Sequence, residues 1–312
     1  MPPRMSNKQE NFTPRRRDLQ RRLAEQIAEA APRDGDLEMQ PGLGLFRRSG
    51  PTDPIHAFFK PSLCIIAQGD KEFVLGGERF HCGPAQYLIC TVDLPMVCRI
   101  VQASRGAPYL SLRLDLDPAT VTSVMMESGG LESRRDRSGA LGVASSAADE
   151  ELLDAAVRLV RLGRVPGDYR VLGPLVTREI VYRLLMGEQG PRMRHLATFA
   201  GQANRMVRAL NRLRHDFTKP LRVDQMAREL GMSVSGFHAH FKAVTAMSPL
   251  QFQKDLRLQE ARRLMLSTGL DAGEAGYRVG YQDPAHFSRE YKKHFGQPPA
   301  RDVDRLRSLS VG

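Results

Sequence analysis

Near the end of the chain, His238 and Lys242 lie four residues apart, and His286, Arg289, Lys292 and Lys293 follow at similar short intervals further on. Imidazoles and cationic side chains carried on a helix can donate to base edges or to phosphate oxygens; a solvated charged face is the plainer alternative. A second reactive set is Cys64, Cys82, Cys90 and Cys98. Their thiolates would react with electrophiles or oxidants, although no neighbouring basic cluster is there to lower a thiol pKa. Buried cysteine also serves simply as a small hydrophobe. None forms a Cys-x-x-Cys pair or a zinc-like spacing with histidine, and His56 and His81 stand alone without a His-x-His pair. That ligand count is too small for a metal centre, so the sequence predicts no catalytic residue, no metal and no cofactor.

The basic side chains sit inside a degenerate internal repeat. In the first copy Ala227 precedes Gly231 by four residues, Ser233 offers an N-cap, Phe237, Phe241 and Val244 line one helical face, and Pro249 ends the unit. In the second, Gly276 precedes Gly280 by four, Asp283 offers the cap, Pro284 takes the first helical position, Phe287 and Tyr291 form the buried face, and Pro299 ends the unit. A small residue lets two helices cross closely, glycine supplies the left-handed turn between them, and the cap satisfies free backbone N–H groups. The pattern predicts a helix-turn-helix written twice, with Phe237, Phe241, Phe287 and Tyr291 in the core. One uninterrupted helix is expected over Pro249–Leu266 between the copies, spanning roughly 27 Å. Successive major grooves on one face of DNA lie about 34 Å apart.

The rest of the chain reads differently. Residues 1–14 are polar and proline-punctuated, and Arg15–Ala30 predicts a helix with Leu19, Leu23, Ile27 and Ala30 at helical spacing. The run Arg15, Arg16, Arg17, Arg21 and Arg22 on it reads as a solvated face, with contact to a polyanion as the alternative. Eight short strands are expected: Leu43–Arg47, Ile55–Phe59, Leu63–Gln68, Glu72–Leu75, Arg79–Cys82, Tyr87–Thr91, Val97–Gln102 and Tyr109–Leu114. Gly76-Gly77 marks a two-residue hairpin among them, and the set predicts a small barrel or sandwich. Helices follow over Ala119–Ser128, Asp149–Leu162 and Tyr169–Met186, with a polar loop over Gly129–Gly142 and a domain boundary near residue 190.

Charge separates the two halves. Among 312 residues carrying a net charge of +11, residues 192–312 hold 21 Lys+Arg against 11 Asp+Glu, whereas residues 23–191 hold 18 against 22. A basic C-terminal block beside a slightly acidic middle predicts that one domain meets a polyanion and the other does not. No apolar run approaches a membrane span and the basic N-terminus lacks an apolar signal core, so the cytoplasm and reduced thiols are expected.

The runs GMSVSGFHAHFKAVTAMSPLQFQKDLRLQEARRLM and AGYRVGYQDPAHFSREYKKHFGQPP resemble the tandem helix-turn-helix domain of AraC/XylS-type regulators. Residues Pro61–Gly69, Val92–Pro95 and Pro108–Leu110 resemble the cupin-like N-terminal domain that accompanies it. The resemblance implies an α+β chain: a tail and helix over 1–39, a cupin-like β-barrel effector domain over 40–120, a helical dimerisation and linker region over 121–190, and an all-α DNA-binding domain over 191–312. It implies a dimeric transcription regulator and activator, not an enzyme, with promoter DNA, RNA polymerase and a small-molecule effector as partners and no membrane. The N-terminal domain would sense a small molecule or, through Cys64, Cys82, Cys90 and Cys98, an electrophile; a constitutive regulator with a purely structural N-terminal domain is the alternative. A cupin-type enzyme fused to a DNA-binding module would need a nucleophilic cysteine beside histidine or zinc. Carried over, the DNA contacts fall on Ser235, His238 and Ala239 in the first recognition helix and on Ala285, His286 and Arg289 in the second. Lys242, Lys292 and Lys293 on the same helices, and Arg257 on the linking helix, are read from their helix context as further DNA contacts, to phosphate above all. The chain departs from the family pattern at Ala239, where a polar residue is common, at Gly276, usually alanine, and at Ala246, frequently glycine.

Overall fold

The computed structural model describes residues 13–129, 142–200 and 205–310; the polar tail 1–12, most of the loop expected over 129–142, and residues 201–204 and 311–312 lie outside the described residues. Strands β1 (Gly35–Gln40), β2 (Leu43–Arg48), β4 (Ser62–Gln68), β7 (Gln86–Cys90), β9 (Tyr109–Asp115) and β10 (Val143–Ala147) form one antiparallel sheet in the order β1-β2-β9-β4-β7-β10. Strands β3 (Ile55–Phe59), β5 (Asp70–Leu75), β6 (Glu78–Cys82) and β8 (Leu94–Gln102) form a second, in the order β3-β8-β5-β6. All eight expected strands occur. The fold is nonetheless two facing sheets and not a closed barrel, and β1 and β10 carry the larger sheet from Gly35 to Ala147, beyond the 40–120 span expected.

Side chains leave a strand alternately to either face, and the larger sheet buries both. Leu110, Leu112 and Leu114 of β9, Leu63 and Ile65 of β4 and Leu43 and Leu45 of β2 pack on helices α1 (Pro14–Ala30), α3 (Glu150–Gly163) and α4 (Pro166–Met186). Helix α2 (Pro118–Glu127) adds Val121 and Val124 to the same core. The intervening residues, among them Ile66, Leu88 and Cys90, face the smaller sheet, where Phe73, Leu94 and Met96 meet them. Helix α1 enters this core through Leu19, Leu23 and Ile27, while Arg15 pairs with Glu150 and Glu151 and Arg21 with Asp18 and Glu25. Those pairings fit the solvated-face reading of the arginine run.

Helix α5 (Gly190–Ala200) leads to the C-terminal half, which consists of α6 (Arg205–His215), α7 (Val223–Glu229), α8 (Val234–Thr245), α9 (Pro249–Thr268), α10 (Ala272–Arg278), α11 (Pro284–Phe295) and α12 (Pro299–Ser310). The caps are those the sequence proposes. The Ser233 side chain accepts from Gly236 N–H, and Asp283 accepts from Ala285 and His286 N–H. Gly231 and Gly280 take φ of +63° and +94° at the turns. A Cβ on Gly276 would sit 2.8 Å from the Phe287 ring, which explains glycine where alanine is usual. The 20-residue α9 is about 30 Å long.

The two halves share a core. Met206, Leu210, Phe237, Phe241 and Phe252 of the first helix-turn-helix unit belong to the same buried cluster as Phe73, Leu94 and Met96 of the sandwich, whereas the second unit has its own cluster around Leu258, Phe287 and Tyr291. At the junction Gly142 N–H donates to Val244 O at 2.9 Å, Arg214 pairs with Asp93 at 2.5 Å, and Arg305 reaches Asp53. Ala246, in left-handed backbone at φ +58°, docks on the β5–β6 hairpin so closely that a Cβ on Gly76 would lie 2.4 Å from its carbonyl oxygen. The glycine hairpin is thus a docking surface as well as a turn.

This contact separates two neighbouring substitutions. Gly76 and Gly77 both have positive φ, so alanine costs ~1–2 kcal/mol at either from backbone strain. Only at Gly76 does the new methyl meet another element, adding ~1–3 kcal/mol. Gly76→Ala is expected to increase protease cleavage between the halves and to lower the melting temperature more than Gly77→Ala. Equal effects would mean that the hairpin does not dock.

Candidate nucleic-acid interface and effector cavity

Phe237 and Phe241 fasten α8, and Phe287 and Tyr291 fasten α11, each fully buried. The opposite faces are open. Ser235, His238, Ala239 and Lys242 on α8 and Ala285, His286, Arg289, Lys292 and Lys293 on α11 are all exposed. Arg289 lies 3.8 Å from Asp283, and the His286 ring packs edge-on to Tyr281 at 5.6 Å. Beneath α11 a buried network fixes its pose: Tyr291 donates to Asp302 at 2.8 Å, and Arg262 donates to the same carboxylate at 2.9 Å. Burial alone would raise the Asp302 pKa, but the bonds from Arg262 and Tyr291 outweigh it and hold the carboxylate low.

Arg257 is placed differently from the expectation. Its guanidinium donates to the backbone carbonyls of Phe217, Thr218, Lys219 and Gly280 at 2.7–3.2 Å. Gln253 donates to two of those carbonyls, at 3.0 Å for Phe217 and 2.7 Å for Lys219. Arg257 therefore ties the loop after α6 and the turn of the second unit to α9, its guanidinium engaged by carbonyls of this chain.

Between the two sheets lies a cavity of about 330 Å³. Ile55, Ala57 and Phe59 of β3, Cys64 of β4, Lys71 of β5, Cys98 and Ile100 of β8, and Tyr109 and Arg113 of β9 line it, together with Phe46. Cys90 lines it too, but Cys82 does not. All four cysteines are free thiols. Burial raises the thiols of Cys64, Cys82 and Cys90, the latter two to about 12, which disfavours the thiolate that electrophile sensing requires. His81 is exposed beside Asp70, whereas His56 faces the DNA-binding half, so the two histidines do not converge. Among the described residues no cluster of three metal-ligating side chains occurs.

The polar lining is not evident in the sequence because Lys71, Tyr109 and Arg113 form no contiguous pattern. A usable signal existed: Tyr109, Ser111 and Arg113 alternate with Leu110, Leu112 and Leu114, so β9 sends a polar row to the face opposite its leucines.

Residues 40–192 match the profile of the AraC-type transcriptional regulator N-terminus, and residues 226–305 match a helix-turn-helix domain profile. The chain belongs to the AraC/XylS family of regulators. Curated relatives include the transcriptional regulator CdhR of Pseudomonas aeruginosa, 26% identical over 42% of this chain and 40% of that protein. The transcriptional activator RhaS of Escherichia coli is 29% identical over 32% of this chain and 36% of RhaS. The matched region thus spans about two fifths of these relatives' length. Among solved structures, apo ToxT from Vibrio cholerae superposes with a TM-score of 0.56 at 10% identity, covering 87% of this chain and 98% of that one. ToxT with a bound unsaturated fatty acid gives 0.54 at 11% identity, covering 84% and 94%. At that identity the likeness is one of fold. No helix among the described residues of this AraC-type chain is long and apolar enough to cross a membrane.

In this AraC-type chain the junction between sandwich and DNA-binding half carries two imidazoles in contact, their planes tilted by 49°. The His56 ring lies 4.7 Å from His294 and 4.8 Å from Phe295. Burial first, then His294 and Arg262, hold His56 at about 3; burial, Lys254 and Arg262 hold His294 at about 4. Burial pushes the neighbouring Asp255, 3.4 Å from His294, up to about 7.

Two outcomes follow from these contacts. Arg257→Met leaves carbonyls of both units without their charged donor and is expected to cost ~2 kcal/mol in the melting of the DNA-binding half; an unchanged melting temperature would contradict the tie. For His56, a pKa depressed below the solvent value of about 6.5 stabilises the docked state above that pH, and the stabilisation is lost as pH falls through it. Asp255, raised, runs in the opposite sense, so the comparison is with a variant. Between about pH 7 and 5 protection factors of junction amides, corrected for intrinsic exchange, are expected to fall less steeply in His56→Gln than in the wild type, and equal slopes would remove His56 from the account.

Proposed function

We propose that this chain is a sequence-specific, cytoplasmic DNA-binding transcription regulator whose promoter engagement is controlled by a small molecule held between its two sheets. The observation that carries the reading is the pair of capped helices, α8 and α11, fastened by buried aromatics on one side and presenting His238, Lys242, His286, Arg289, Lys292 and Lys293 on the other. A helix held so, with donors on its open face, is suited to the major groove. Ala239 leaves the first helix with fewer direct base contacts than the second.

Control enters through β3. Phe59 turns inward, 5.9 Å from Phe73 of the same sheet, whereas Phe58 meets Phe252 at 6.2 Å and the Arg214 guanidinium at 5.0 Å, and His56 meets His294. An occupant that shifts β3 from the cavity side shifts the surface on which the DNA-binding half rests. Ligand and DNA then bias one another through a shared two-state element. The fatty acid bound by ToxT is consistent with a small-molecule site in this fold. RhaS is a transcriptional activator, which supports activation as the mode of control, with RNA polymerase as the partner of this reading.

Homodimerisation is the reading of α4, where Val171, Leu172, Leu175, Tyr182 and Met186 remain 43–67% exposed along one side. An apolar stripe of this kind on a helix that otherwise packs in the core suits a second copy of the same helix.

The test is selection of genomic fragments on the purified protein, followed by titration of a recovered site. His286→Ala is expected to weaken that site about fivefold to tenfold, ~1–1.4 kcal/mol, with little effect on random DNA. Lys292→Ala should weaken both alike and reduce the salt slope by about one. Retention of full affinity and slope by both variants would overturn this interface.

A further inference from the structure

The cavity holds a charge that its own walls do not neutralise. Arg48 pairs with Asp36 at 2.5 Å, Arg99 with Glu72 at 3.0 Å and Arg113 with Asp115 at 3.1 Å. Lys71 faces no carboxylate partner among the described residues. Its ammonium is surrounded by rings instead, 5.0 Å from the centre of Phe73, 5.7 Å from Tyr109 and 5.9 Å from Phe46. Arg113 also approaches Phe46, at 5.7 Å. Aromatic faces favour a cation but do not cancel it.

The polar atoms around Lys71 point to the same complement. Tyr109 is fully buried and its hydroxyl has no hydrogen-bond partner of good geometry, although Ser111 on the same strand lies close enough to interact with it. A hydroxyl left so beside an ammonium is costly in an apolar interior, unless an acceptor enters. Ile55, Ala57, Phe59 and Leu88 give the wall an apolar stretch, and Lys60 and Ser62 line it as well. A volume of about 330 Å³ lies at the small end of ligand sites and excludes a peptide.

We propose that the cavity binds an amphiphilic organic carboxylate, its carboxylate held by the Lys71 ammonium and the Tyr109 hydroxyl, its apolar body lying against Ile55, Ala57 and Phe59. The inference rests on the reading of this cavity as the effector site and adds the class of molecule that fills it.

Calorimetric titration of the full-length protein with decanoate, octanoate and benzoate, each against the corresponding alcohol, tests both layers separately. At least one carboxylate should bind roughly tenfold tighter than its alcohol. Lys71→Met should lose roughly tenfold for that carboxylate without changing the alcohol, and Lys71→Arg, which keeps the charge, should stay within a few fold of wild type; melting curves establish that the variants fold. An alcohol that binds as tightly as its carboxylate, with Lys71→Met indifferent to both, overturns the carboxylate assignment and leaves a neutral-effector cavity standing. A loss with Lys71→Arg as large as with Lys71→Met overturns the role of charge. Failure of every probe to bind overturns the effector cavity as well.

Discussion

Because side chains alternate along a strand, one thin wall can carry two different surfaces, and the architecture of this protein turns on that property of β3. Phe59 belongs to the interior of the sandwich, while Phe58 and His56 belong to the surface on which the DNA-binding half sits. A slip of one residue in the pairing of β3 with β8, where Ile55 opposes Cys98 and Phe59 opposes Leu94, would exchange the two sets. Register in this edge strand is therefore a condition for having both a cavity and a junction.

The same alternation governs the larger sheet. Its leucine face is sealed by α1, α3 and α4, and this frees the other face to carry Tyr109, Ser111 and Arg113 into a half-polar interior. The DNA-binding half depends on a different device. Its first unit shares a core with the sandwich, its second does not, and Arg257 and Gln253 join them through backbone carbonyls. A displacement of the first unit is consequently passed to the second along α9 and its ties.

Much of this was legible in the residues. Ser233, Asp283, Gly231 and Gly280 write the boundaries of the recognition helices because caps and left-handed turns admit few residue types. The eight expected strands were bounded by equally selective turn residues. Strand β1 was not, since only Leu37 and Met39 alternate with its Asp36, Glu38 and Gln40 and none of its residues is β-branched or aromatic, and β10 was not, since its Ala-Ser-Ser-Ala core is small and weakly patterned. That two sheets face each other instead of closing into a barrel depends on pairings distant in sequence. Arg257 was only partly legible for a similar reason: an arginine on an exposed-looking helix resembles a phosphate contact, and the carbonyls some forty residues upstream that engage it are brought there only by the fold. Lys71 carried no local signal at all, because its meaning lies in rings and donors supplied by other strands.

The claim that cavity and DNA-binding surface share β3 has a direct test that needs no effector. Binding free energies couple reciprocally, so DNA held by α8 and α11 must act back on the wall. Hydrogen exchange of the full-length protein with and without a selected site would be followed at residues 55–59. The account predicts altered protection there alongside protection of the recognition helices. Protection confined to the recognition helices, with residues 55–59 unchanged, would contradict it.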